Sequence, residues 1–479
     1  MTGESNGPQE ADEGRELGAL LSYGGKGADL PILEPIEEAR PSHSIEHDYV
    51  LTLGANILVI LLGVVTGALT ARALHPFGRG ELASIQLWPS FLAVVATFGM
   101  PESMCYFSAK FRHSGRQYLT TSFVIAGAAT APLIVMAYFV LPDILHANSS
   151  VIAGTRLYLL FIPCYVLMFL PSQAIRGTGN FWLWNITRIL PNMAWLVTIV
   201  VAYTWDHAHR RTLTPQGLTD FYLVGLAVVA ALSLFFALRA LSGPVQPDIR
   251  KSRELLRYGL PVLGATLPVT LNLRLDQLVM TVVVAERQLG LYVVAVAWSG
   301  AISPILNSIG STVMPRIAPL SDQSDQADAL IRVSRFSVLV AGALTIPILA
   351  VTPTAIDVLF GASFHDSITP AFLLVVASAF LGMDFILTEA LLGIGVTSGP
   401  LRAQTIGFVM MAATLALFLP TMGIVGAALS SLVGYSSNAL ALVYEAHRAT
   451  GASYRELVVP RRVDIDMTVN MLRSLIRRA

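Results

Sequence analysis

Apolar runs of about 20 residues recur along this 479-residue chain, and they constrain its fold more than any other feature. A helix needs about 20 apolar residues to cross the roughly 30 Å hydrocarbon core of a bilayer. Hydrophobic residues make up 54% of the chain and charged residues only 13%, which supplies enough apolar sequence for many such helices. Alternating ten-residue strands do not occur, which argues against an outer-membrane barrel. We therefore predict an all-α integral membrane protein.

About twelve transmembrane helices are predicted after an acidic segment, residues 1–49. This segment has no signal-peptide pattern, and we expect a disordered cytoplasmic tail, with a regulatory or partner-binding tail as the alternative. Pro261 and Pro268, on either side of Gly264, predict a bend in the seventh span. The twelve spans are placed at 50–74, 81–108, 118–140, 151–174, 182–203, 219–241, 255–284, 287–314, 332–352, 366–391, 401–420 and 423–445.

Two pairs of similar motifs indicate an internal repeat. Residues 78–99 and 287–310 share a turn, an aromatic-bearing apolar helix and a closing glycine, and the two closing glycines are 211 residues apart. The motif RGTG at 176–179 precedes LGIG at 392–395 by 216 residues. Two six-helix halves in the same orientation imply a pseudo-twofold axis along the membrane normal, with the ligand path between the halves.

The repeat predicts two pseudo-symmetric six-helix bundles. The predicted organisation is an acidic tail 1–49, an N-terminal bundle 50–241, a cytoplasmic linker 242–254, a C-terminal bundle 255–445 and a basic tail 446–479. Loop charge favours both termini in the cytoplasm, because thirteen basic residues then flank the spans inside and five outside; Arg210 and Arg211 are the main exceptions. The end of the basic tail resembles a helix lying on the anionic inner leaflet, with an ordinary solvated tail as the alternative.

The seventh span contains a polar run that is costly in hydrocarbon. A charge at the centre of a membrane helix costs about 2.5–3.5 kcal/mol on insertion scales, so it normally faces a partner or a wet cavity. Asn272 and Asp276 are four residues apart and share a helix face, whereas Arg274 points elsewhere. We expect Asp276 to pair with an arginine of another helix, with proton or sodium coupling as the alternative.

Several motifs together resemble the polysaccharide flippases of the multidrug/oligosaccharidyl-lipid/polysaccharide (MOP) exporter superfamily. ARALHPFGRGELA follows the first span, LLRYGLPVLGATL opens the seventh, and RLDQLVMTVVVAERQLGLYVVAVA joins the seventh to the eighth. LFGASFHDSITPAFLLV precedes the tenth span, LLGIGVTSGPLRAQ follows it, and MGIVGAALSSLVGY forms the twelfth. The resemblance covers roughly residues 50–445 and includes neither tail.

The resemblance implies two bundles around a central cavity, alternating access, and movement of polyprenyl-diphosphate-linked oligosaccharide from the inner to the outer leaflet of a bacterial inner membrane. The expected partners are this lipid-linked oligosaccharide, the lipid bilayer, and polysaccharide polymerase or assembly proteins. No nucleic-acid partner, cofactor, metal site or catalytic residue is expected. Cys105 and Cys164 both lie in apolar segments, which argues against a disulfide framework.

A lipid diphosphate requires a wet, cationic cavity, and arginine suits it because the guanidinium stays charged and offers forked donors. Each candidate also has a structural interpretation, as an ion pair, an interfacial anchor or a helix-packing contact. The candidate cavity arginines are Arg274, Arg156, Arg72 and Arg188. The candidate coupling or counter-ion carboxylates are Asp276, Glu102, Asp384 and Glu389. The candidate polar lining residues are Asn272, Gln277 and Gln173.

Other functions fit the sequence less well. A cation-coupled multidrug antiporter of the same superfamily remains the alternative, but the first span contains no acidic residue and embedded arginines would repel a cationic drug. A membrane glycosyltransferase or lipid phosphatase would need a catalytic cluster, and no loop between spans exceeds about 20 residues. A scaffold role leaves Arg274 and Asp276 unexplained. The sequence therefore favours a transporter of an anionic lipid.

Overall fold

The computed structural model describes residues 45–145, 148–208, 213–320 and 322–461, which belong to one compact unit. Every regular element in these ranges is a helix, which confirms the all-α prediction. Most of the predicted acidic tail and of the predicted membrane-surface helix lie outside the described residues, at 1–44 and 462–479.

Fifteen α-helices are numbered here in chain order within the described ranges. They are α1 Ile45–Ala96, α2 Met100–Lys110, α3 Gly115–Leu145, α4 Ser149–Tyr158, α5 Phe161–Gly177, α6 Phe181–Ala208, α7 Pro215–Ala240, α8 Ile249–Val283, α9 Glu286–Ser299, α10 Ser303–Gly310, α11 Met314–Ile317, α12 Gln323–Ala355, α13 Ile368–Gly393, α14 Ser398–Thr450 and α15 Tyr454–Val458. A π-helical turn, Ile356–Phe360, extends α12.

The helices account for twelve spans. Eight helical segments of the described chain are long and apolar enough to cross a membrane. Two of these reverse direction, α1 at His75 and α14 at Gly423, where φ is 56° in both cases, and so each supplies two spans. Pro76 disfavours a helical conformation at His75, and glycine tolerates the positive φ at position 423. Two further spans come from helices outside these eight segments. The seventh span is α8, and the eighth is divided among α9, α10 and α11.

Three spans other than the seventh contain interruptions of the helix. These lie at Gly99 between α1 and α2, at Leu160 between α4 and α5, and at Gly300 after α9. Helix α8 stays helical through Pro261 and Pro268, and the bend predicted there stays a prediction. A proline inside a membrane helix is tolerated when neighbours satisfy the freed backbone groups.

The two halves of the chain meet at the end that contains the reversal at His75, which we call the turn end. Here the second part of α1 packs along α9, and a Cβ added to Gly80 would overlap the carbonyl oxygen of Glu286. Reciprocally, a Cβ added to Gly290 would overlap the carbonyl oxygen of Pro76 and lie 2.8 Å from the Gly80 nitrogen. Only glycine permits this approach of two backbones.

The halves also meet at the opposite end, which we call the linker end because residues 242–254 lie there. Ser103 of α2 donates a hydrogen bond to the Leu255 carbonyl of α8 (3.2 Å), and the rings of Tyr106 and Tyr258 stack with centroids 4.8 Å apart. Tyr118 of α3 donates to the Glu254 carboxylate over 2.7 Å. The start of α8 therefore packs against the N-terminal half.

A reciprocal backbone contact supports the predicted pseudo-twofold symmetry. Trp88 and Trp298 are 210 residues apart but have non-equivalent partners, because Trp88 donates its indole N–H to Thr281 across the halves and Trp298 donates to Thr352 within the C-terminal half, each over 2.9 Å. Gly80 and Gly290 are also 210 residues apart and make the reciprocal contact. The 78–99 and 287–310 motifs are thus equivalent helices that face each other, whereas the predicted bundle boundaries stay predictions.

Candidate functional site

Arg188 lies near the linker end of the N-terminal half. Its guanidinium donates to the Asn56 side chain of α1 (2.7 Å) and to Asn185 one turn before it (3.2 Å), and it stacks over Trp184, with Cζ 4.5 Å from the ring centroid. Arg176, at the end of α5, stacks over the same indole at 5.1 Å. Helix α6 brings Trp184 and Arg188 to one face because they are four residues apart. Two guanidiniums therefore share one aromatic side chain.

Arg72 joins the two halves at the turn end. Its guanidinium donates to the Leu359 carbonyl over 3.0 Å and to the Val358 carbonyl, both in the π-helical turn after α12. The last four carbonyls of a helix lack intrahelical donors, and a basic side chain near them is favourable. Among the described residues, Arg72 thus bridges α1 to the end of the ninth span, and its guanidinium N–H groups bind backbone carbonyls.

Arg156 occupies the edge of the N-terminal half. Its guanidinium lies 4.6 Å from the centroid of the Tyr138 ring of α3, and both side chains are exposed. A narrow apolar crevice beside it is lined by Leu141, Leu145 and Leu159 among others. This environment resembles that of an interfacial anchor more than that of a residue shared between the halves.

Asp276 has partners other than the arginine that the sequence led us to expect. Its buried carboxylate accepts hydrogen bonds from the Tyr292 hydroxyl and from Ser431 (3.1 Å), and from the Gln277 amide N–H (2.7 Å). The prediction of an arginine partner is wrong for the described residues, because hydroxyls of α9 and α14 satisfy this carboxylate. Arg274 is exposed on the same helix and donates to the Gln277 side chain over 3.5 Å.

A second buried carboxylate lies in the C-terminal half. Asp384 is 4% exposed, and one of its oxygens accepts a hydrogen bond from Asn438 over 3.0 Å. The same amide also donates to Gln404 over 3.1 Å. The other oxygen of Asp384 and the amide oxygen of Asn438 are buried without a hydrogen-bond partner in the described structure. Tyr435 lies within electrostatic range of both Asp276 and Asp384, which places the two carboxylates in one polar region.

The remaining predicted residues are distributed over both halves. Glu102 of α2 lies within electrostatic range of Cys105 and Tyr165, next to the region of Arg176. The buried Asn272 leaves its amide oxygen without a hydrogen-bond partner among the described residues. The half-buried Glu389 and Gln173 have no described contact that assigns them a role.

The structure separates the predicted residues into groups. Arg274, Asp276 and Gln277 belong together with Tyr292 and Ser431, whereas the other predicted arginines make contacts elsewhere. The residues that sequence reasoning did not assign to the site are Arg176, Trp184, Tyr292, Ser431, Asn438 and Gln404. Spacing could have linked Trp184 to Arg188, but no pattern in the sequence indicates the contacts between helices that are distant along the chain.

The family model described as "Polysaccharide biosynthesis protein" matches residues 47–321, which is more than half of the chain. The chain belongs to the polysaccharide biosynthesis protein family. The matched residues of this family member run from the first span to the end of α11 and include Gly80, Gly290 and Asp276. No curated protein sequence matches it significantly.

Solved structures share the fold of this polysaccharide biosynthesis protein. A lipid II flippase MurJ in an inward closed conformation matches with a TM-score of 0.65 and 14% identity over 84% of this chain and 87% of that one. An inward-facing multidrug resistance MATE family transporter of the MOP superfamily matches with a TM-score of 0.60 and 14% identity over 84% and 95%. The MATE multidrug transporter DinF-BH, solved as a complex, matches at 0.60 and 13% identity over 88% and 100%. The predicted MOP fold is confirmed.

Proposed function

We propose that the protein is a flippase that moves polyprenyl-diphosphate-linked oligosaccharide from the inner to the outer leaflet by alternating access, for surface polysaccharide biosynthesis. The observation that carries the proposal is the charge of the embedded arginines. Among the described residues, Arg72, Arg156, Arg188 and Arg274 form no ion pair with a carboxylate. Unneutralised guanidiniums in membrane helices favour an anionic cargo, and arginine recognises phosphate with paired donors.

The family assignment supports a role in polysaccharide synthesis, and the fold shared with a lipid II flippase supports a lipid-linked substrate. The substrate path is proposed to lie between an N-terminal bundle, 50–241, and a C-terminal bundle, 255–445. The contacts at both the turn end and the linker end support it, because alternating access requires each end to open in turn. Asp276 and Asp384 are the proposed coupling groups, and polymerase or assembly proteins are the proposed partners.

The test is transport by the purified full-length protein in proteoliposomes, measured with a labelled lipid-linked oligosaccharide. We expect Arg274→Ala to abolish flipping and Arg274→Lys to restore only a small part of it, because lysine lacks the forked donors. Arg332→Ala is the control, since Arg332 is exposed and makes no described hydrogen bond or ion pair. Normal flipping by Arg274→Ala would remove this residue from the site, and full activity of Arg274→Lys would refute paired phosphate recognition.

A cation-coupled multidrug antiporter is the second candidate, because MATE transporters share the fold at a similar TM-score. In that case the proteoliposomes would move a cationic dye and leave the lipid-linked sugar in place.

The proposed location is a bacterial inner membrane with both termini in the cytoplasm. With Cys105 and Cys164 replaced, an impermeant external thiol label should modify a cysteine at Asn148 but not at Ser324, and the opposite result would reverse the orientation.

A further inference from the structure

Arg176 and Arg188 approach each other although both are positively charged. Their Cζ atoms lie 5.1 Å and 4.5 Å from the centroid of the Trp184 ring, so the two guanidiniums are within about 10 Å of each other. The two charges repel, and Trp184 is only 9% exposed. A cation–π contact contributes about 0.5–2 kcal/mol, which offsets part of this repulsion and holds both guanidiniums beside one indole.

The described partners of this pair leave it positively charged. Arg188 donates to the neutral oxygens of Asn56 and Asn185. The Arg176 guanidinium makes no hydrogen bond or ion pair with a described residue, and its described partner is the indole. Glu102 lies in the same region, since it and Arg176 both act electrostatically on Cys105, but one carboxylate does not balance two guanidiniums.

The surroundings favour an anion that is attached to a lipid. Asn56 belongs to the first span, and Leu53 and Ile60, which lie three residues before it and four after it on the same side of that helix, are 38% exposed and half-buried, respectively. A guanidinium pair next to an apolar helix face suits a ligand with a phosphate head and a hydrocarbon chain. Two guanidiniums suit a diphosphate better than a single phosphate, because each can bind one phosphoryl group with paired donors.

We infer that Arg176, Trp184 and Arg188 form a binding site for the diphosphate of a polyprenyl-linked substrate at the linker end of the N-terminal half. The inference rests on the proposed function and adds a site that is separate from Arg274. Arg176 and Arg188 supply the charge and the donors, and Trp184 positions both guanidiniums. With the predicted orientation, this site takes the headgroup on the cytoplasmic side.

The experiment measures binding to the purified full-length protein of a labelled polyprenyl diphosphate that carries no sugar. Removing two charge-assisted contacts in the Arg176→Gln/Arg188→Gln variant should raise Kd by at least about tenfold. The matched control is Arg239→Gln. Arg239 is exposed, as Arg176 is, and it stacks over a single ring, Phe235, at 4.7 Å. Its Kd should stay within about twofold of the parent value. Trp184→Leu should weaken binding, and Trp184→Phe should weaken it less.

Three outcomes would overturn the inference. The first is a Kd of the double glutamine variant that equals the Kd of the parent protein. The second is an absence of polyprenyl diphosphate binding in the parent protein. The third is a loss of bound phosphatidylglycerol in the double variant with unchanged polyprenyl diphosphate affinity, which would assign the site to a bilayer lipid. The Arg176→Lys/Arg188→Lys variant keeps both charges and should bind better than the glutamine variant, which separates lost recognition from misfolding. If sugar transport fails but binding behaves as expected, the flippase proposal is wrong and the site stands.

Discussion

Replacing Gly80 with alanine should open the turn end of the molecule. An added Cβ would overlap the Glu286 carbonyl oxygen and lie 2.5 Å from its carbon, whereas ordinary contacts of a Cβ lie at 3.4–4 Å. Both atoms belong to the backbone of α9 and cannot rotate away. The two helices would therefore have to separate by about 1 Å or more.

Forced overpacking of this kind costs about 1–3 kcal/mol. The cost applies to the conformation in which α1 and α9 touch, because the added methyl group meets nothing once these helices part. A difference of about 1–3 kcal/mol changes a conformational equilibrium by roughly 5- to 150-fold, at about 1.4 kcal/mol for each factor of ten. The population of the conformation that is open at the turn end, relative to the closed one, should therefore rise by this factor.

Thiol accessibility can measure this shift. A cysteine at Thr281, which is 6% exposed and bonded to Trp88 across the interface, should react with an external thiol reagent only when the halves separate. In a background without native cysteines, Gly80→Ala should accelerate the reaction, and Gly290→Ala should do the same. Gly78→Ala is the control, since its Cβ would meet the Leu74 side chain at 3.2 Å. Equal rates in Gly80→Ala and Gly78→Ala would refute the reasoning.

Further predictions concern single side chains. Trp88→Phe removes a hydrogen bond between the halves, worth about 0.5–1.5 kcal/mol, and should increase opening, whereas Trp298→Phe removes a hydrogen bond within the C-terminal half and should only lower the melting temperature. Glu445→Gln breaks a 2.9 Å ion pair with the half-exposed Arg402 and should cost about 1 kcal/mol in an unfolding measurement. Asp384→Asn should remove the dependence of lipid flipping on an imposed proton gradient, and unchanged coupling would exclude this carboxylate.

The number and kind of helices could be predicted because the signal is local. Twenty consecutive apolar residues indicate a span without reference to any other part of the chain. The repeat could also be predicted from the sequence, since Gly80 and Gly290, like Trp88 and Trp298, occupy equivalent positions in two similar motifs. The breaks inside spans could not be predicted from the sequence, because they depend on which neighbour satisfies the freed backbone groups.

The partners of the charged residues could not be predicted for a related reason. Asp276 was expected to find an arginine, yet its partners are hydroxyls of Tyr292 and Ser431, 16 and 155 residues away. These contacts depend on how three helices are rotated about their axes, and apolar periodicity is weak in membrane helices that are hydrophobic all round. Arg176 is the first residue of the RGTG motif, and nothing in its local sequence indicates that it reaches Trp184.

The paired contact of Gly80 and Gly290 limits the relative motion of the two halves. Bodies that touch at one point can rotate about any axis through it, whereas bodies that touch at two points rotate only about the line that joins them. Here the Gly80–Glu286 and Gly290–Pro76 contacts supply the two points. While both persist, the halves have a single hinge line at the turn end, and separation at the linker end is a rotation about it. Opening the turn end has to break both contacts.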